Sequence, residues 1–156
     1  MSKAVLARLT EKAFRQEFPV ANSDNRLANA IARGITARQK LLQEEGGSVS
    51  AEEASRHLGI SKAAILKRYQ KGQLIAWREE RQNAVRFPVW QFQEHKVLDG
   101  LEQVLAALNE RSRLDDFGRM LFFLSTFGFL GGKRPLDLLR AGKLSKVLEA
   151  TQGYGG

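Results

Sequence analysis

Residues 49–92 read VSAEEASRHLGISKAAILKRYQKGQLIAWREERQNAVRFPVWQF, and the order of caps, helix formers and breakers in this stretch decides the fold. Ser50 is placed to cap a helix over residues 51–58. Its hydroxyl can accept from the backbone N–H of Glu52 or Glu53, and Glu53 stands at the third helical position, where a capping box wants an acid. Gly59 supplies the left-handed residue that ends this helix, Ile60 an apolar plug, and Ser61 a second cap. A second helix over residues 62–71 then carries Ile65 and Tyr69 on one face and Ala63, Lys67 and Gln70 on the other, until Gly72 stops it. Beyond it, residues 73–78 and 85–87 have the β-branched and aromatic content of a two-stranded ribbon. Their connector, residues 79–83, has no Asn-Gly pair, so a loop longer than two residues is expected.

This is the pattern of a helix-turn-helix with a β-hairpin wing, whose second helix enters a DNA groove. Ala63 and Ala64 let the backbone approach base edges, while Lys67 and Arg68 can reach phosphates or guanine acceptors. Ser61, Lys62, Arg78, Arg81 and Arg86 complete the candidate DNA-binding set. Glu79 and Glu80 would repel phosphate, so the tip of the wing itself is not expected in a groove. Two positions depart from the usual pattern: Ser55 stands where a small alanine is commonest, and Arg68 where an apolar side chain is often buried. A helical hairpin and small sheet used only for packing or for binding a partner fits the same residues.

The rest of the composition sets bounds. A chain of 156 residues, 43% apolar and 27% charged, is ordinary for a soluble globular protein. The formal charge of +8 favours polyanionic partners. Eight basic against five acidic residues in 1–49, nine against five in 50–96 and eight against seven in 97–156 put the excess in the first two segments. The last third is built for a different partner. Without cysteine, disulfides, thiolate zinc sites and cysteine nucleophiles are excluded. His57 and His95 lie far apart in sequence and read as surface side chains rather than metal ligands. The N-terminus lacks the apolar core of a signal peptide, and the apolar run from Met120 to Leu124, resuming at Phe127 to Leu130, is too short to cross a bilayer. A cytoplasmic protein without a membrane segment is expected.

Ahead of residue 49, Val5, Leu6, Leu9, Ala13 and Phe14 recur at helical spacing up to Phe18-Pro19, where proline is expected to end the pattern. Asn22 and Ser23 offer a cap for a helix over residues 24–45, with Leu27, Ile31, Ile35 and Leu42 as its apolar stripe and Gly46-Gly47 at its end. Two readings fit these helices: they pair with a second copy, or they fold back on the central segment. Gly34 in mid-helix costs roughly 1 kcal/mol against alanine and suits a close helix approach.

Phe87 to Phe92 form a hydrophobic joint between the ribbon and the C-terminal third of the chain. A helix over residues 97–109 aligns Val97, Leu101, Val104, Leu105 and Leu108, and another starts near Asp115. Asp115 and Asp116 read as helix cap and dipole partner rather than as an acid–base pair. Residues 129–150, FLGGKRPLDLLRAGKLSKVLEA, give a glycine turn, a proline-started helix, a break at Ala141-Gly142-Lys143 and a last helix. Gly-Gly-Lys-Arg is not a phosphate loop: the first glycine and the Ser or Thr after the lysine are missing. No nucleophile–base pair or metal cluster stands out, so neither enzyme activity nor a cofactor is expected.

This last segment resembles the C-terminal toxin-binding domain of MbcA/ParS/Xre-type antitoxins, in which a glycine, a P-L-x-L-L helix and a G-x-x-x-x-V helix succeed one another. Residues 50–77 and 86–92 look like the winged helix-turn-helix, similar to MerR and excisionase domains, that some members attach to it. The resemblance covers about residues 38–151. It implies a type II antitoxin, whose C-terminal domain blocks a toxin, often an NAD-consuming RES-type protein, while its DNA-binding domain represses the shared operon. Gly131, Pro135, Leu136, Leu139, Gly142 and Val147 match the family motif by position. The helices they organise, with the tail that includes Tyr154, are expected to face the partner. Two features depart from the family. The DNA-binding part is not the Cro-like five-helix form of most relatives, and Phe127-Gly128-Phe129 replaces a more polar, proline-containing loop, which leaves the kind of toxin open.

The expectation is therefore a mainly α chain in three parts: an N-terminal helical segment (1–47) with a dimerising role, a winged helix-turn-helix (48–95) and a C-terminal helical toxin-binding-like domain (96–156). Its expected function is sequence-specific repression, as a homodimer on a double-stranded operator, combined with neutralisation of a toxin. The alternative is an excisionase-like or phage-type regulator with no toxin partner.

Overall fold

The structure, a computed structural model, describes the backbone of residues 19–154 and side chains from residue 25 onward. It is mainly helical with small antiparallel sheets. The apolar spacing of residues 5–14 lies outside the described residues. The first described helix, α1 (Pro19–Gln43), starts earlier than expected. Pro19 is its first residue rather than a terminator, because a proline in the first turn lacks an N–H that would have no helical partner anyway. The predicted cap at Asn22-Ser23 therefore falls inside the helix. Past Gln43 the chain turns through Glu45, Gly46 and Gly47 at φ of 59°, 96° and 78°. Two of these three are glycines, as left-handed backbone prefers.

Strand β1 (Ser48–Ser50), which carried no sequence signal, leads into α2 (Ala51–Leu58). The capping box is present: Ser50 Oγ accepts from Glu53 N at 3.1 Å, and Glu53 Oε1 accepts from Ser50 N at 2.9 Å. Gly59 closes α2 at φ 67°, and Ser61 caps α3 (Lys62–Gln70) by accepting from Ala64 N at 3.1 Å. Strands β2 (Trp77–Glu79) and β3 (Ala84–Pro88) come next. The three strands form an antiparallel sheet in the order β1-β3-β2, with Val49 opposite Phe87 and Trp77 opposite Arg86. The ribbon is shorter than residues 73–78 suggested, because Leu74, Ile75 and Ala76 are buried in sequence rather than alternating. Gln91 replaces a strand partner there. Its fully buried amide accepts from Ile75 N at 2.8 Å and donates to Ile75 O at 2.7 Å and Pro88 O at 3.2 Å.

The helix expected from residue 97 begins only at Leu101, as α4 (Leu101–Arg111). Residues 92–97 are used in a small hairpin of β4 (Phe92–Gln93) and β5 (Lys96–Val97). Its turn is Glu94-His95, at φ of 51° and 68°, which lacks the Asn-Gly that would have announced it. Gly100 at φ 88° brings the chain so close to α6 (Pro135–Arg140) and α7 (Leu144–Thr151) that a Cβ would stand 3.0 Å from Leu139 and Leu144. Between α4 and α6 lies α5 (Asp116–Leu124), capped by Asp115.

Two apolar clusters hold residues 40–154 together. Ala51, Ala54, Ile65, Leu74, Ala76, Val85 and Phe87 fill the space between α2, α3 and the sheet. A larger cluster built from α4 to α7 takes in Ile75, Trp90 and Leu98 as well. Successive residues Leu74 and Ile75 thus enter different cores, and Phe87 and Trp90 do the same, which is the joint expected of residues 87–92. Each such buried Leu, Ile or Phe contributes roughly 1.5–3 kcal/mol. The described residues divide into two compact units between Gln39 and Lys40.

Candidate nucleic-acid interface

Helix α3 is held from behind. Ile65 is fully buried between α2 and the sheet, and the Tyr69 ring meets Phe87 edge-on at 6.2 Å. The Tyr69 hydroxyl donates to Asp116 Oδ2 at 2.7 Å, and burial, then this carboxylate, push its pKa up to about 12. Arg119 donates to Asp116 Oδ1 at 3.3 Å and to Asn109 Oδ1 at 3.0 Å, and Asn109 Nδ2 donates to Gly72 O at 3.4 Å. This polar seam fixes both the end of α3 and the turn after it onto α4 and α5. Asp116, expected only to sit near a helix dipole, is a structural partner of α3.

The opposite face is open. Ser61, Lys62, Ala63, Lys67, Gln70 and Lys71 are exposed, and Arg68 is half-buried. Ala63, Lys67 and Gln70 recur at three- and four-residue spacing, so they form one stripe with a small residue at its start. Lys62 Nζ lies 3.0 Å from Glu52 Oε2 with both side chains more than half exposed, a pairing that a stronger anion can displace. Of the ribbon arginines, Arg78 and Arg81 are exposed, Arg78 Nη1 donating to Asn83 Oδ1 at 3.3 Å. Arg86 is half-buried: its Nε and Nη2 donate to Ser48 Oγ at 3.1 Å and Ser48 O at 3.0 Å, so its guanidinium also fastens β1 to β3. Gln70, placed on this face from sequence, and Lys71 extend the same exposed polar surface although neither was in the candidate set.

The residues expected to meet a protein partner divide. Pro135, Leu136, Leu139 and Val147 are buried, and their side chains pack α6 and α7 onto α4 and α5 instead of facing outward. Gly131 and Gly142 make the turns on either side of α6 at φ of 70° and 76°. Tyr154 is half-buried, its ring 5.0 Å from Phe122 and 5.8 Å from Phe127, and burial raises its hydroxyl pKa. Arg134 donates to both oxygens of Asp137 and to Glu45 Oε2, each within 2.9 Å, while Arg140 reaches Glu45 Oε1 at 3.0 Å. These guanidiniums hold the carboxyls of Glu45 and Asp137 below their ordinary range. What α6 and α7 leave exposed is different: Phe129 at 70% and the lysines around it.

Among the described residues, no three His, Asp or Glu side chains gather as a metal site, and no helix is long and apolar enough to cross a membrane. No protein-family model and no curated protein matches the chain. Among solved structures it is similar to the NMR structure of Rv2175c, with a TM-score of 0.57 and 19% identity over 74% of this chain and 85% of that one. At this identity the likeness is one of fold.

Proposed function

We infer that the chain is a sequence-specific DNA-binding repressor in which α2, the Gly59 turn and α3 act as a helix-turn-helix, with the β2–β3 ribbon as its wing. The observation that carries this reading is the two-sided character of α3. Ile65 and Tyr69 anchor its back, while Ser61, Lys62, Ala63, Lys67, Gln70 and Lys71 stand outward. A capped helix that offers a small residue first and cations behind it fits a major groove, with phosphate contacts fixing register and side chains reading base edges. The surplus of +8 supports association with a polyanion.

Repression follows from occupancy: a homodimer would set two α3 helices about 34 Å apart, one helical turn of a pseudo-palindromic operator, and exclude polymerase. The resemblance of residues 129–150 adds a protein partner to this reading, a toxin that the C-terminal helices would neutralise.

The test is duplex binding at several salt concentrations. Lys67→Ala or Arg68→Ala is expected to weaken operator binding by about 1–3 kcal/mol if either reads a base. A residue that touches phosphate alone instead weakens all duplexes alike and lowers the salt slope by about one. Unchanged affinity in both variants removes α3 from the interface.

A further inference from the structure

The short helical turn Gly128–Leu130 and helix α7 enclose a cleft of about 390 Å³. Its interior is apolar: Leu138 is 4% exposed and Leu130 half-buried, while Phe129, 70% exposed, forms a wall. Phe129 stays upright because its ring leans on Phe127 at 5.3 Å, and Phe127 rests in turn on Phe122 and Tyr154. Around the opening stand Lys133, Lys143 and Lys146, all exposed, against one carboxylate, Glu149.

Charge decides what such a cleft takes. The arginines nearby are committed inward, Arg134 and Arg140 to Glu45 and Asp137, whereas none of the three lysines has an ion pair among the described residues. An apolar interior ringed by unpaired ammonium groups complements an apolar side chain flanked by carboxylates. A duplex fits less well, because its backbone would set phosphates on the lysines but offers no apolar side chain to fill the space between Phe129 and Leu138. We propose that the Phe129–Leu138 cleft docks an extended acidic segment of a partner protein, seating one bulky apolar side chain between Phe129 and Leu138 with its neighbouring carboxylates on Lys133, Lys143 and Lys146. The proposal rests on the protein-partner half of the reading above and gives that partner a chemistry.

Amide shifts of the full-length chain, titrated with three probes, test it. The probes are an acidic heptapeptide with a central Leu-Trp pair, the same peptide with every acid replaced by lysine, and a short random duplex. The acidic peptide is expected to shift residues 128–133 and 143–149 saturably, with affinity falling as salt rises. Phe129→Ala, and separately Lys143→Glu with Lys146→Glu, should each weaken it about five-fold or more, the scale of two rim charges or one partly exposed ring. These side chains are exposed, so the variants should fold. Shifts that appear elsewhere, persist unchanged in both variants, or accompany the lysine peptide or the duplex into the cleft overturn the proposal. Duplex shifts on α3 are read separately, so either half of the functional reading can fall without the other.

Discussion

Gln91 shows what a single residue can do that its neighbours in sequence do not announce. It lies in an aromatic run, yet its amide is fully buried and serves as the hydrogen-bonding partner of the Ile75 backbone on both sides. Gln91→Leu keeps the bulk and leaves a buried N–H and C=O unpaired, each costing about 1–3 kcal/mol. A loss of about 2–4 kcal/mol in urea unfolding is therefore expected, with an unchanged m value; a loss under about 1 kcal/mol would mean that water satisfies Ile75. Ser50, Gly59 and Ser61 were legible because a cap acts on backbone three residues away. Gln91 was not, because its partner is sixteen residues distant, and the bond from Arg86 to Ser48, thirty-eight residues back, was hidden for the same reason.

At the scale of elements, periodicity and breakers located the core of α2, α3, α5, α6 and α7 within a residue or two. The failures are the short strands. β1, β4 and β5 are two or three residues long, too few to express an alternating pattern; β1 forms on the edge of β3, and β4 and β5 form on each other. The same dependence governs the C-terminal helices. Their motif residues were legible as a pattern that organises the two helices, but not as core, where Leu136, Leu138, Leu139 and Val147 lie. Ending the chain at Gly132 therefore removes, among others, these four large buried side chains, worth roughly 1.5–3 kcal/mol each, comparable with the roughly 5–15 kcal/mol that holds a whole domain folded. The truncated chain is expected to lose its cooperative thermal transition and its duplex binding together. A sharp melt with DNA affinity retained would mean that α2, α3 and the sheet fold by themselves.

Leu27, Ile31 and Ile35 recur every four residues on one side of α1 and are 61%, 54% and 54% exposed, while Leu41 and Leu42, further along, pack against the larger core. Gly34 lies beside Ile35 with nothing within 4 Å of where a Cβ would stand, so another helix can approach there closely. The stripe itself was readable from sequence; what it packs on was not, since a second copy and the chain's own core both fit its spacing. A second copy would bury these three side chains and at the same time supply the paired α3 helices that a two-fold operator requires. Sedimentation of the full-length chain is expected to give a dimer, and Ile31→Glu, which places a charge in mid-stripe, a monomer with an intact melt. Because two linked half-sites bind with far higher avidity than one, that variant should lose operator affinity by about 100-fold or more while keeping its weak binding to random duplex. A monomeric parent chain, or an Ile31→Glu variant that binds the operator as the parent does, would return α1 to some other use and leave α3 to act singly.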